Sequence, residues 1–242
     1  MTERVICWFS CGVTSAVATL LTLVKYPDAI PVYCDTGSEH PDNQRLLKDC
    51  EKLFNKEVLV IRSDKYKSTW EVFESGYLIG AKGAKCTTEL KKLVRRKFQQ
   101  PDDLQVFGFD INEQSRAKRF IDNNFEVKVY FPLIEQKLSK RDCINIFRQY
   151  NIALPAMYEL GYKNNNCIGC VKGGAGYWNK IRQDFPEVFD RMAKLERKLG
   201  ATILRDRTNG QTETRLYLDE LKPNAGRYES LDIDCGLFCG EV

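Results

Sequence analysis

Val5-Ile6-Cys7-Trp8-Phe9, then Ser10-Cys11-Gly12-Val13-Thr14-Ser15, then an amphipathic run from Ala16 to Val24, reads as a strand, a tight loop of small residues and a helix. The same rhythm repeats outward from it. Ile30-Pro31-Val32-Tyr33-Cys34 precedes a helical stretch from Asn43 to Phe54, and Val58-Leu59-Val60-Ile61 follows. Leu104-Gln105-Val106-Phe107 and Val127-Lys128-Val129-Tyr130-Phe131 are two more short runs, separated by a polar helix from Glu113 to Asn123. Apolar runs of about five residues spaced by helices of about ten are what a parallel sheet with crossover helices requires. The expectation is an α/β fold with a single doubly wound, mostly parallel sheet flanked by helices.

Ser139 opens a further helix, with Asp142 in the capping-box position. From about Asn151 the strand signal fades into a helix-like stretch from Pro155 to Gly161, a Cys- and Gly-rich loop through Gly176, a helix from Glu187 to Leu199 and a polar tail. We therefore expect an α/β core over residues 1–150 and a helical, Cys-rich C-terminal portion over residues 151–242 packed on it. No internal repeat or low-complexity tract interrupts this plan.

The 242 residues suit one such domain with a small appended part, and a hydrophobic share of 43% with 29% charged residues is ordinary for a globular chain. No apolar run approaches the roughly 18 residues of a membrane span. Met1-Thr2-Glu3-Arg4 leads straight into the first strand without a basic leader, so a cytoplasmic location with no membrane partner is expected. The net charge of +4 is spread along the chain, and its densest run, Lys91-Lys92-Leu93-Val94-Arg95-Arg96-Lys97, reads as a helix with one wet face. Ten cysteines in such a chain point to metal, cluster or redox chemistry rather than a disulfide framework.

Ser10 to Ser15 sits between a strand and a helix, where backbone N–H groups and the helix dipole make an anion site. Open α/β sheets bind ligands at the carboxyl ends of their strands, so Asp35-Thr36-Gly37-Ser38-Glu39-His40 should line the same crevice. Either loop alone is equally read as a tight turn, and two on successive strands favour a nucleotide site. Lys91, Lys92, Arg116, Arg119, Lys137, Lys140 and Arg141 are the basic side chains suited to a phosphate or sulfate there.

Ser10-Cys11-Gly12-Val13-Thr14-Ser15 resembles the Ser-Gly-Gly-x-x-Ser loop of the ATP-pyrophosphatase (adenine nucleotide alpha-hydrolase) superfamily, with Cys11 in place of the middle glycine and its side chain near the phosphates. Pro31 to Gly37, followed by Pro41, is similar to the strand and Asp-Thr-Gly turn of phosphoadenylyl-sulfate (PAPS) reductases. Gly108-Phe109 with Glu113-Gln114-Ser115 and the downstream Arg119 resembles that family's Gly-x-x-x-Glu-Gln-Ser-x-x-Arg segment, with one extra residue here. Phe131-Pro132-Leu133-Ile134 and Leu154 to Tyr162 resemble its Pro-Leu-Ile and Leu-Tyr-x-x-Gly-Tyr patterns. The resemblance implies that Ser10, Cys11, Gly12, Thr14, Ser15, Asp35, Thr36, Gly37, Gly108, Glu113, Gln114, Ser115 and Arg119 bind an adenine nucleotide: PAPS, adenylyl sulfate (APS) or ATP.

Cys167-Ile168-Gly169-Cys170 lies in a Gly- and Asn-rich loop that leaves the backbone able to wrap a metal. Iron-sulfur adenylyl-sulfate reductases pair such a motif with cysteines at the position of Cys86. That resemblance implies a [4Fe-4S] cluster on Cys86, Cys167 and Cys170, with Lys85 where a fourth cysteine stands in those enzymes. A structural zinc with a further ligand and metal-free thiols are the competing readings. Asp234-Cys235-Gly236-Leu237-Phe238-Cys239 resembles the Glu-Cys-Gly-Leu-His motif of sulfonucleotide reductases without its histidine, which implies that Cys235 is a nucleophile and Cys239 a resolving thiol or metal ligand. A surface cysteine pair without catalytic role is the alternative. Cys7, Cys34, Cys50 and Cys143 fall at apolar positions and read as core, and His40 as a loop residue near the nucleotide.

Three functions follow as expectations. The preferred one is thiol-dependent reduction of PAPS or APS to sulfite, with a thioredoxin-like thiol donor. The second is an ATP pyrophosphatase that adenylates a tRNA or DNA target for iron-sulfur-dependent thiolation. The third is a non-catalytic nucleotide-binding subunit. A homo-oligomer is expected in each case.

Overall fold

The structure, a computed structural model, describes residues 3–80, 83–206 and 214–228. β1 (Val5–Phe9) is buried along its whole length, as a strand must be at the middle of a sheet covered on both faces. It leads into α1 (Val13–Lys25), β2 (Ile30–Cys34), α2 (Asn43–Phe54) and β3 (Leu59–Ile61). After α3 (Thr69–Glu74), β4 (Ile79–Gly80) and β5 (Gly83–Ala84) pair antiparallel. A helical stretch then runs through α4 (Lys85–Thr87), a π turn (Thr88–Lys92) and α5 (Leu93–Phe98). β6 (Leu104–Val106), α6 (Gln114–Asn123) and β7 (Lys128–Tyr130) complete the sheet, and α7 (Pro132–Glu135) and α8 (Lys140–Gln149) follow.

Five parallel strands lie in the order β3-β2-β1-β6-β7, with Trp8 beside Val32 and Cys7 beside Val106. The two-residue period of β1 divides its side chains between the faces. Phe9 packs with α1, α2 and α8 through Val17, Leu46 and Phe147. Ile6 and Trp8 pack on the other side with Val94, Ala117 and Phe120 of α5 and α6. The chain is thus an α/β fold with a five-stranded parallel sheet flanked by helices.

The expected capping box opens α8: the Ser139 Oγ accepts from the Asp142 N–H at 3.3 Å, and Asp142 Oδ2 accepts from the Ser139 N–H at 2.8 Å. Cys7, Cys34, Cys50 and Cys143 are buried, and burial pushes each thiol up to about 12, so they act as small hydrophobes.

Beyond α9 (Ala156–Glu159), α10 (Ala175–Asp184) and α11 (Pro186–Leu199) pack around Trp178, Ile181 and Met192. Phe73, Leu78 and Ala84 join this cluster from before residue 150. Two strands absent from the sequence reading, β8 (Leu204–Asp206) and β9 (Thr214–Leu216), pair antiparallel here. Each spans three residues and carries charge, so neither forms an apolar run. The basic run also departs from a helix with one wet face. Arg95 is 1% exposed whereas Leu93 is 44% exposed, because the π turn inserts a residue and rotates the following face. No described helix is long and apolar enough to cross a membrane.

Candidate functional site

β2 and β6 flank β1 on opposite sides, so the loops leaving β1 and β6 diverge at the carboxyl end of the sheet. A cavity of about 540 Å3 opens there, within the usual range for a small-molecule site. Its floor is the loop before α1. Ser15 Oγ accepts from the Ser10 N–H at 3.0 Å, lies 3.1 Å from the Ser10 hydroxyl and donates to the Gly12 carbonyl at 2.9 Å. Gly12, at the N-cap of α1, brings no capping side chain, and the first turn holds no acidic residue. The helix therefore presents its positive end to the cavity without an internal counter-charge.

Close approach of the β6 loop completes the floor. A Cβ on Gly108 would stand 2.6 Å from the Ser15 Cα and 2.7 Å from its nitrogen. Only glycine lets this loop lie against the first turn of α1 without displacing backbone. Phe107 and Phe109 form an aromatic wall. Their rings stack with centroids 6.0 Å apart, and Phe109 is backed by Phe131 at 5.4 Å and 11°. The guanidinium of Arg116 lies 4.3 Å from the Phe109 centroid and bonds Glu113 at 2.5 Å.

Cations rim the opening: Lys91 from the π turn, Arg116 and Arg119 from α6, and Lys140 from α8. Lys140 Nζ donates to the side chain of Asn164 at 2.6 Å and to the Lys163 carbonyl, and lies 4.8 Å over the Tyr158 ring. Asp110, buried beside them, accepts from the Asn112 and Lys140 N–H groups at 2.7 and 3.1 Å and so ties the β6 loop to α8. On the far wall, Asn165 donates to the Cys11 carbonyl at 2.7 Å and to Asn43 at 2.6 Å. Tyr158 hydrogen-bonds the backbone of Val13 and Asn165, and burial pushes its hydroxyl pKa up.

Of the residues expected to bind nucleotide, Ser10, Gly12, Thr14, Ser15, Gly108, Glu113, Ser115 and Arg119 line this cavity. Cys11, Asp35, Thr36, Gly37 and Gln114 do not. The left-handed backbone of Cys11, at φ 55, turns its sulfur into the core, 3.9 Å from the Asn43 carbonyl, and away from the cavity. Burial holds that thiol well above its usual range. Asp35 is occupied by Arg62 at 2.6 Å and by the Gly37 N–H at 2.8 Å. Glu39 does reach the wall, while His40 caps the start of α2 by accepting from the Asp42 N–H at 3.1 Å. Among the basic candidates, Lys92, Lys137 and Arg141 are not part of the lining. Sequence reasoning met Tyr158 only as part of the Leu-Tyr-x-x-Gly-Tyr resemblance, without a role, and did not single out Asp110 or Asn164-Asn165-Asn166. The run of three asparagines before Cys167 was the available signal.

Behind one wall lies a second cavity of about 20 Å3, lined by Cys86, Cys167 and Cys170 together with Thr36, Thr87 and Lys91. Cys167 and Lys91 line both cavities. The three thiols expected to hold a cluster therefore face one chamber. Its size suits one water-sized body, and among the described residues no three Cys, His, Asp or Glu side chains converge as a metal site. In donor type the trio fits iron or zinc. Cys235 and Cys239 lie outside the described residues.

No protein-family model matches the chain. Two uncharacterized proteins of Methanocaldococcus jannaschii are similar to it. MJ0066 is 26% identical over 204 residues, covering 78% of this chain and 41% of that protein. MJ0973 is 21% identical over 203 residues, covering 79% of this chain and 47% of that protein. The chain spans less than half the length of these curated relatives.

Proposed function

We propose that the chain is a sulfur-transfer enzyme of the PAPS-reductase type, which binds phosphoadenylyl or adenylyl sulfate in the large cavity and reduces it to sulfite at the expense of an external thiol. The observation that carries this reading is the make-up of that cavity. An uncompensated helix N-terminus with Ser10 and Ser15 suits a phosphate, stacked Phe107 and Phe109 suit a purine, and Lys91, Arg119 and Lys140 suit further anionic groups, all around one 540 Å3 space.

The resemblance assigns the nucleophile to Cys235. Tyr228 accepts from the Lys163 N–H at 3.1 Å, next to the cavity residue Asn164. Cys235 follows Tyr228 by seven residues. The thiolate attacks the sulfate sulfur, the bond from sulfur to the bridging phosphate oxygen breaks, and the adenosine phosphate leaves carrying that oxygen. A thiol donor then displaces sulfite from the cysteine and takes its place in a disulfide, which a second thiol opens.

Cys235→Ser should lower sulfite release from PAPS or APS by more than about a hundredfold, with nucleotide binding retained. Unchanged sulfite release defeats the assignment. Pyrophosphate release from ATP that depends on Ser15 and on an added tRNA or DNA would favour the thiolation reading instead.

A further inference from the structure

The small chamber is lined by three thiols, and two of them lie on one turn. Cys167 and Cys170 are the outer residues of a turn at Ile168-Gly169, and Gly169 has φ 75. A turn of this kind brings its outer Cα atoms within about 7 Å, close to the span of a disulfide.

The turn is held from several sides. The Ile168 N–H donates to the Ser38 carbonyl at 3.0 Å, which fixes the turn to the loop after β2. Thr36 Oγ1 lies 3.1 Å from the Cys167 sulfur. The Tyr177 hydroxyl fixes the other side, accepting from the Cys170 N–H at 2.9 Å and lying 3.3 Å from the Cys167 carbonyl. A Cβ on Gly169 would stand 2.7 Å from Val188, so α11 packs directly against the turn.

The two residues differ in position. Cys167 lines the 540 Å3 cavity as well as the chamber, whereas Cys170 lines the chamber alone. We propose that Cys167 and Cys170 form an exchange-active dithiol, with Cys167 as the entry thiol reached through the large cavity and Cys170 as the inner resolving thiol. Its co-substrate is a disulfide. The Cys167 thiolate attacks one sulfur of that disulfide, whose S–S bond breaks, and the first thiol leaves with a proton. The Cys170 thiolate then attacks the Cys167 sulfur, the mixed disulfide breaks, and the second thiol leaves as Cys167 and Cys170 join. Two electrons and two protons pass from the protein to the incoming disulfide. The pair stands apart from the sulfonucleotide reading, since neither step involves a nucleotide or Cys235.

The test treats the full-length protein with oxidised glutathione under anaerobic conditions, followed by alkylation and peptide mass mapping. Wild type should yield a Cys167–Cys170 disulfide. Cys170→Ser should stop with glutathione on Cys167, and Cys167→Ser should label Cys170 at least about tenfold more slowly, because that residue lines only the chamber. Circular dichroism on both variants checks that they fold. A wild-type disulfide through Cys86, equal labelling in the two variants, or stoichiometric iron or zinc that is lost in Cys167→Ser would each overturn the proposal.

Discussion

The large cavity and the thiol turn stand side by side, but they are built in different ways. The cavity is assembled where parallel strands end, from loops that follow β1 and β6 directly, and its floor is set by residues close in sequence such as Ser10, Gly12 and Ser15. The thiol turn is held by partners from other elements: Thr36, Ser38, Tyr177 and Val188. A site at strand ends inherits its geometry from the sheet, whereas a site on a turn depends on the packing around it. The two should therefore fail independently.

Gly108→Ala tests the cavity most severely. The new Cβ meets the backbone of Ser15 rather than a side chain that can swing aside. We expect an adenine-nucleotide affinity about a hundredfold lower, roughly 2.8 kcal/mol, measured by calorimetric titration, with glutathione exchange at Cys167 largely intact. Unaltered nucleotide binding would mean that the ligand does not use the α1 floor.

Lys140→Ala is the next largest. It removes a cation from the cavity rim and the bond to Asn164, and a charge-assisted hydrogen bond is worth about 1.5–3 kcal/mol. Affinity for an anionic nucleotide should fall about twentyfold, and the loss should shrink as salt is raised. An equal loss for uncharged adenosine would show that Lys140 acts through Asn164 rather than through charge.

Tyr177→Phe works on the other region. It deletes the hydroxyl that accepts from the Cys170 N–H, and leaving a buried donor unsatisfied costs about 1–3 kcal/mol. The expected outcome is a modest loss of stability in denaturant titration and slower closure of the Cys167–Cys170 disulfide, with nucleotide affinity unchanged. A parallel loss of nucleotide affinity would show that the two regions are one mechanical unit.

The same contrast explains what the sequence made legible. The strand rhythm of β1, β2 and β6 and the boundaries of α2 are encoded locally, in apolar runs and in the spacing of Leu46, Cys50 and Phe54, so reading them required no tertiary knowledge. Ser139 and Asp142 announced their helix for the same reason. The π turn at Thr88–Lys92 has no such local mark, and it decides that Arg95 faces inward and that Lys91 reaches both cavities. Cys11 occupies a motif position, yet its left-handed backbone sends its sulfur away from the cavity. Tyr158 and Asn165 reach the loop before α1 only through packing of the chain after residue 150 onto α1 and α2, contacts more than a hundred residues apart in sequence.

The smallest expected effect lies beyond both sites, in the packing that supports the thiol turn. Glu196 of α11 is fully buried, accepts from the Ile203 and Leu218 N–H groups at 2.6 and 2.7 Å, and so joins that helix to the segments around β8 and β9. Burial raises its carboxyl pKa from 4.5 to about 7, against the two N–H groups that favour the ionised form. Between those values the native state holds a proton that the unfolded chain has released. Stability therefore falls as pH rises, being fully present below about 4.5 and lost through about 7. We expect a loss of about 1 kcal/mol between pH 5 and 6, a drop in Tm of roughly 2–4 °C over that unit. Glu196→Gln should flatten this slope while lowering stability at every pH, because its amide nitrogen cannot accept from the second N–H. A slope that persists in Glu196→Gln assigns the pH dependence to another group. A wild-type slope that also slows disulfide closure at Cys167 would show that the rigidity of the turn is drawn from the helix behind it rather than from the sheet.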